Sequence, residues 1–122
     1  METTIPTYIK IMQTIRQEIV SGVLEPDQKM ASIKELSGKY HVNPNTVQRA
    51  LANLEEEGLV KSRRTAGKYV TDNRLLIKSV RCKEARKITE EFLSSLEQLG
   101  IHPDELVSLF SEPKRTENVG TA

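Results

Sequence analysis

Two helix starts lie close together in the first half of this sequence, and they constrain the fold more than any other feature. Ser32 and Glu35 fit a capping box, in which the hydroxyl and the carboxylate each satisfy a free backbone N–H at a helix start. Asn43 followed by Pro44 marks a second start, because asparagine is a good N-cap and proline sacrifices no hydrogen bond at the first helical position. The first of these helices is expected to end near residue 39, which leaves helix-turn-helix spacing between the two.

Further elements surround this pair. Apolar residues at helical spacing predict one helix before it and a long helix after it, and two strand-like runs flanking a glycine-containing turn predict a β-hairpin. The predicted elements are helices over about 6–21, 33–39, 44–57 and 74–99, a short helix after His102, and strands at 59–63 and 68–71. The sequence therefore predicts a mainly α protein, with an N-terminal winged helix-turn-helix of three helices and a two-stranded β-wing, followed by a short helical C-terminal region.

Charge is unevenly distributed along this nearly neutral chain. The net charge is +1, yet residues 61–87 carry ten basic and two acidic side chains. Such a local positive field indicates an anionic partner or a solvated surface. The hairpin region 60–71 holds four cations and no acidic residue, which is more than a strand edge needs to block strand addition. This density favours contact with the phosphates or the minor groove of DNA.

The helix that begins at Pro44 has a polar face opposite its apolar one. At 100° per residue this face carries Asn45, Gln48 and Arg49, with Thr46 at its margin. Asparagine and glutamine can make paired hydrogen bonds to adenine, and arginine can make them to guanine. The pattern favours a helix that reads a major groove over an ordinary solvated face. Arg49 has alternatives, because it could brace a phosphate or pair with Asn53 or the following glutamates.

The region after the hairpin is too short to enclose a large effector cavity. Its apolar residues are expected to form a dimer interface, the alternative being that they fold back on the first helix. A dimer is favoured because one helix-turn-helix has a small footprint and paired half-sites require a twofold protein. The predicted interface consists of Ile77, Val80, Ile88, Phe92, Leu96, Leu99, Leu106 and Phe110.

Residues 5–71 resemble the winged-helix domain of the GntR family of bacterial transcription regulators. The framework segments that carry this resemblance are Pro6-Thr7-Tyr8, Ser32-Ile33-Lys34-Glu35-Leu36, Val42-Asn43-Pro44-Asn45-Thr46-Val47, Glu57-Gly58-Leu59-Val60 and Gly67-Lys68-Tyr69-Val70. The third segment and the short C-terminal part resemble the YtrA-like subfamily, whose members are small dimeric repressors. The resemblance implies a homodimeric repressor that binds a palindromic operator in double-stranded DNA.

The resemblance also implies where DNA is contacted. Lys34 stands where the family usually has an arginine that contacts DNA, and the wing from Arg63 to Lys68 enters or borders the minor groove. The sequence departs from the family at Asp27 and Thr65, where glycines are usual. Pattern and resemblance together predict DNA contacts by Ser32, Lys34, Asn43, Asn45, Thr46, Gln48, Arg49, Arg63, Arg64, Gly67 and Lys68.

Residues capable of catalysis or metal binding do not cluster in the sequence. His41, His102 and the single cysteine, Cys82, lack the spacing of metal ligands, and no phosphate-cradling loop or nucleophile elbow is present. We therefore expect neither enzyme activity nor a cofactor. The chain start has no secretion signal, and no apolar run is long enough to span a bilayer, so we expect a cytoplasmic protein that does not bind membranes.

The expected organisation is a DNA-binding domain over 5–73, a helical dimerisation and effector region over 74–112, and a disordered tail over 113–122. A small-molecule effector, if one exists, would bind in the cleft between the winged domain and the long helix. An alternative function is a winged-helix module for protein assembly, which would dock an acidic partner through the basic segment 61–87.

Overall fold

The computed structural model describes residues 4–64 and 66–111 of this 122-residue chain. The predicted tail over 113–122 lies outside the described residues. The elements are α1 (Thr7–Ser21), α2 (Ile33–Tyr40), α3 (Pro44–Glu56), β1 (Val60–Arg63), β2 (Gly67–Val70), α4 (Arg74–Gln98), a 3-10 turn (Pro103–Glu105) and α5 (Leu106–Ser111). This order confirms the predicted fold class, a mainly helical protein with a two-stranded wing. The chain divides into two compact units, Met1–Cys82 and Lys83–Ala122.

Local hydrogen bonds fix the starts of α2 and α3. The backbone N–H of Glu35 donates to Ser32 Oγ over 3.0 Å, and the N–H of Ser32 donates to Glu35 Oε1 over 2.8 Å. At the next start, the N–H of Asn45 donates to Asn43 Oδ1 over 2.7 Å, with Pro44 as the first helical residue. These bonds satisfy backbone donors that a helix start would otherwise leave unpaired.

The core of the first unit is aliphatic and centred on α3. Val47, Ala50, Leu51 and Leu54 lie on one face of that helix and are completely buried. The remaining buried apolar residues come from every other element of the unit: Ile11, Ile15, Ile19, Val20, Met30, Leu36, Leu59, Val60, Val70 and Ile77. Because α3 packs against its neighbours along its apolar face, its polar face is left to solvent.

The wing is an antiparallel hairpin with a third segment at its side. Val60 pairs with Val70 at the buried base of the hairpin, and Arg63 pairs with Gly67 near the tip. On the other edge of β2, the N–H of Val70 donates to the Gln28 carbonyl and the N–H of Met30 donates to the carbonyl of residue 68, both over 2.9 Å. The wing is therefore held to the core by main-chain bonds as well as by its buried valines.

The first turns of α4 belong to the winged unit. Ile77 is 4% exposed and lies in the core, and Val80 packs against that core. Arg81 Nε donates to the Val20 carbonyl of α1 over 2.7 Å. These contacts explain why the first compact unit extends to Cys82, whereas the predicted domain ended at residue 73. The predicted dimer interface included Ile77 and Val80. This prediction is wrong for Ile77, because its side chain is buried within its own chain. Val80 is partly buried against the same core, so only part of its side chain could contact a second copy.

The second unit is described by itself and exposes most of its apolar residues. Ile88 is 63% exposed, Phe92 42%, Leu99 74% and Phe110 74%, whereas Leu96 and Leu106 are only partly exposed. Among the described helices, none has both the length and the apolar character needed to cross a bilayer.

Candidate nucleic-acid interface

The polar face of α3 is exposed as the sequence predicts. Asn45 and Gln48 are exposed, and Thr46 is half-buried beside them. Asn53, further along the helix, turns towards α1, where its Nδ2 lies 3.4 Å from Met12 Sδ. The exposed amides near the start of α3 are therefore those able to hydrogen-bond base edges, because they project from the end of the helix that can enter a groove.

A groove runs between the start of α2 and the wing, and we call it the α2–wing groove. It has a volume of about 720 Å³. Its lining residues are Lys29, Met30, Ala31, Ser32, Ile33, Lys34, Glu35, Ser62, Arg63, Arg64, Ala66, Gly67 and Lys68. Five of these described residues are cationic and one is a carboxylate, and such an excess of cationic side chains suits contact with a phosphate backbone.

Three of the wing cations are paired with carboxylates of the same chain. Arg63 forms an ion pair with Asp27, and its guanidinium lies 3.9 Å from the centroid of the Tyr69 ring. Lys61 Nζ lies 2.9 Å from an oxygen of Asp72. Asp27 and Asp72 both lie outside the hairpin run 60–71, so the charge of that run alone does not include these partners.

The third pair is part of a small network. Lys68 Nζ lies 2.9 Å from Glu55 Oε1 and 2.8 Å from Ser62 Oγ, and the Ser62 hydroxyl donates to the other Glu55 oxygen. These bonds hold the pKa of Glu55 below its usual value, the serine contributing most and the lysine next. Lys61 similarly lowers the pKa of Asp72 through its hydrogen bond to that carboxyl. These hydrogen bonds thus favour the ionised form of both acids.

Two further cations of the α2–wing groove have no carboxylate partner among the described residues. The side chains of Lys34 and Arg64 are exposed and make neither a hydrogen bond nor an ion pair there. Lys29, which sequence reasoning missed, lines the same groove because the segment before α2 pairs with β2. No local pattern in the sequence places Lys29 beside the wing, since the two are far apart along the chain.

Arg49 belongs to a separate part of the surface. Its guanidinium carbon lies 3.9 Å from the centroid of the Tyr8 ring. Tyr8, Thr7, Asn45, Thr46 and Arg49 line a shallow depression of about 280 Å³. The alternatives considered for Arg49, pairing with Asn53 or with the glutamates after it, are not what the structure shows.

The predicted contact residues thus fall into distinct groups. Ser32, Lys34, Arg63, Arg64, Gly67 and Lys68 share the α2–wing groove, and Asn45, Thr46 and Arg49 share the depression beside α1. Gln48 lies on the exposed face of α3 outside both. Ser32 and Asn43 already use a side-chain oxygen to cap their helices.

The arrangement defines a class of protein. Two helices joined by the short turn 41–43, a polar face on the second helix and a cationic hairpin after it make a winged helix-turn-helix, the architecture of DNA-binding regulators. The family described as bacterial regulatory proteins, gntR family, matches residues 7–70, which is more than half of the chain. The chain belongs to the GntR family, as the sequence resemblance predicted.

Two relatives from Bacillus subtilis illustrate the extent of the similarity. The HTH-type transcriptional regulator YhcF is 29% identical over 84% of this chain and 84% of its own length. The HTH-type transcriptional repressor YtrA is 35% identical over 56% of this chain and 52% of its own length. The chain therefore spans only about half the length of YtrA. Its similarity to YtrA over this part supports the predicted YtrA-like subfamily.

Solved structures extend the comparison to the fold. A GntR family transcriptional regulator from Listeria monocytogenes is 35% identical, with a TM-score of 0.82 over 96% of this chain and all of that one. The structure of AraR(DBD) in complex with operator ORR3 is 30% identical, with a TM-score of 0.56 over 58% of this chain and 86% of that one. A DNA-binding domain seen on its operator is thus similar to the winged unit described above.

Proposed function

We propose that this protein is a cytoplasmic, sequence-specific transcriptional repressor, not an enzyme, which binds a palindromic operator as a homodimer. In this proposal α3 lies in the major groove, where Asn45 and Gln48 contact base edges. The wing lies at the adjacent minor groove, and the α2–wing groove receives the phosphate backbone. A small-molecule effector would act by preferring one of two dimer arrangements.

One observation carries the proposal: exposed amides on the first turns of α3 lie in the same folded unit as a cationic groove. The amides supply hydrogen-bonding groups with base specificity, and the cations supply affinity that does not depend on sequence. Repression, rather than activation, is supported by the similarity to YtrA, a transcriptional repressor. The operator complex of AraR(DBD) supports DNA as the partner.

The homodimer is supported by the second unit. Ile88, Phe92, Leu99 and Phe110 present apolar side chains to solvent at 42% exposure or more, although burying such groups is favourable. A second copy of this chain would cover them and would also supply the second reading head that a palindrome requires.

The decisive experiment compares a reading residue with a matched control on two DNAs. Gln48→Ala should weaken binding to an operator duplex, selected from a randomised pool, by about 1 to 3 kcal/mol, with a much smaller loss on random duplex. Gln17→Ala makes the same chemical change at an exposed position of α1 and should alter neither affinity. Fluorescence anisotropy with labelled duplexes measures both.

The result that would refute the proposal is equal loss on the two DNAs for Gln48→Ala, which would mean that α3 does not read sequence. If the unaltered protein bound every duplex equally weakly and no operator could be selected, the protein-assembly alternative through segment 61–87 would be favoured instead.

A further inference from the structure

Tyr8 of α1 and Arg49 of α3 are in contact on the surface of the winged unit. The Arg49 guanidinium carbon is 3.9 Å from the centroid of the Tyr8 ring, well within the range of a cation–π interaction. Tyr8 is half-buried and packs against the core of the winged unit. The ring is therefore a fixed platform, and the arginine on it loses much of the freedom of an exposed side chain.

The stack leaves the hydrogen-bonding edge of the guanidinium available. Among the described residues, Arg49 makes no ion pair and no hydrogen bond through its side chain, whereas Arg63 is paired with Asp27. A planar guanidinium donates from its edges in a fixed fork that matches phosphate oxygens. Arg49 thus lies over the ring, and its donors make no hydrogen bond to any described residue and can meet an anion.

The position of the stack decides which part of DNA those donors can meet. Tyr8 comes from the first turn of α1, so the ring draws Arg49 to the α1 side of α3, into the depression that Thr7, Asn45 and Thr46 also line. Of the two amides proposed to contact bases, Asn45 lines this depression and Gln48 does not, so the depression lies at the edge of the base-reading face. An arginine held at the flank of the base-reading face lies where the sugar-phosphate backbone passes when a helix occupies the groove.

We propose that Tyr8 is a positioning residue that orients Arg49 as a clamp on one backbone phosphate of DNA, so that Arg49 anchors α3 and does not read a base. This inference rests on the proposed function, because it assumes that α3 enters the major groove. In this proposal Tyr8 acts on DNA affinity through Arg49.

The test is a double-mutant cycle measured at several salt concentrations. Arg49→Gln should weaken binding to the selected operator and to random duplex by the same factor, and should lower the slope of log affinity against log salt by about 0.9, the value of one phosphate contact. Tyr8→Leu, which removes the ring, should weaken binding about two- to fivefold. Tyr8→Phe keeps the ring and should bind like the unaltered protein.

The cycle separates positioning from general stability. In an Arg49→Gln background, Tyr8→Leu should have no further effect on DNA affinity, because there is no guanidinium left to orient. Circular dichroism and urea unfolding of each variant show whether the winged unit stays folded. Tyr8→Phe keeps the packed ring, so its DNA affinity remains informative even if Tyr8→Leu unfolds the unit.

Three results would overturn the inference. They are additive losses for Tyr8→Leu and Arg49→Gln, equal losses for Tyr8→Leu and Tyr8→Phe, and a changed base preference in Arg49→Gln. Failure of the proposed function looks different, because the unaltered protein would then fail to distinguish the selected operator from random duplex.

Discussion

Replacing Asp27 with asparagine should increase the affinity for DNA, because it releases Arg63 from an ion pair. The carboxylate of Asp27 binds the guanidinium, and the two side chains are 55% and 45% exposed. A pair that is this exposed contributes about 0.2 to 1 kcal/mol. When a DNA phosphate replaces Asp27 as the partner of Arg63, the parent protein loses the energy of this ion pair and Asp27→Asn does not. Asp27→Asn should therefore bind DNA about 1.4- to 5-fold more tightly than the parent.

The salt dependence shows whether Arg63 exchanges Asp27 for a phosphate in the parent complex, in which case the slopes of parent and variant are equal. If Arg63 instead stays paired with Asp27 in the parent complex, its release in Asp27→Asn adds one phosphate contact and raises the slope of log affinity against log salt by about 0.9. Over a fourfold fall in salt concentration, this slope multiplies the ratio of variant to parent affinity by about 3.5. Fluorescence anisotropy with one labelled duplex, titrated between about 50 and about 200 mM salt, measures both quantities.

The backbone at Asp27 allows this substitution. Its φ is 66°, in the left-handed region that asparagine tolerates as well as aspartate does and that glycine adopts freely. Asp27→Gly should therefore also fold and should show the same gain in affinity. Glu25→Gln is the matched control, because it removes an exposed carboxylate nearby that pairs with no cation among the described residues.

Two results would refute this reasoning. If Glu25→Gln raised affinity as much as Asp27→Asn, the gain would come from net charge and not from the release of a particular arginine. If Asp27→Asn still bound more tightly in an Arg63→Ala background, the released cation would not be the cause.

Two further predictions concern stability and assembly. The lowered pKa of Glu55 means that its carboxylate stabilises the fold above its ordinary pKa of 4.5 and that this contribution is lost as the pH falls through the folded-state pKa. The difference in free energy of unfolding between the parent and Glu55→Gln, from urea titrations, should therefore shrink below pH 4.5; a difference independent of pH would contradict this. Phe92→Glu should give monomers in sedimentation velocity and much weaker operator binding with unchanged circular dichroism, because a charge cannot be buried in an apolar interface without a large cost. A Phe92→Glu protein that remained a dimer with full operator affinity would place the interface elsewhere.

Interactions between residues close together in the chain could be predicted from the sequence. The capping bonds of Ser32 with Glu35 and of Asn43 with Asn45 join residues two or three positions apart. Such short-range patterns can be recognised in the sequence, and they predicted both helix starts. The apolar face of α3 follows from helical periodicity, and the exposed amides Asn45 and Gln48 follow as its complement. The fold class and the polar face could therefore be predicted without coordinates.

The packing of distant elements determines which cations remain available and which apolar residues remain exposed. Arg63 meets Asp27 and Arg49 meets Tyr8 only because separate elements pack together, and each pair is 36 or more residues apart in the sequence. Ile77 has the spacing of the predicted dimer face, yet the first turns of α4 pack against the winged unit and bury it. Helical periodicity predicts which side chains share an apolar or polar face. It does not predict which residue packs against or pairs with each of them, because that depends on contacts between elements far apart in the sequence.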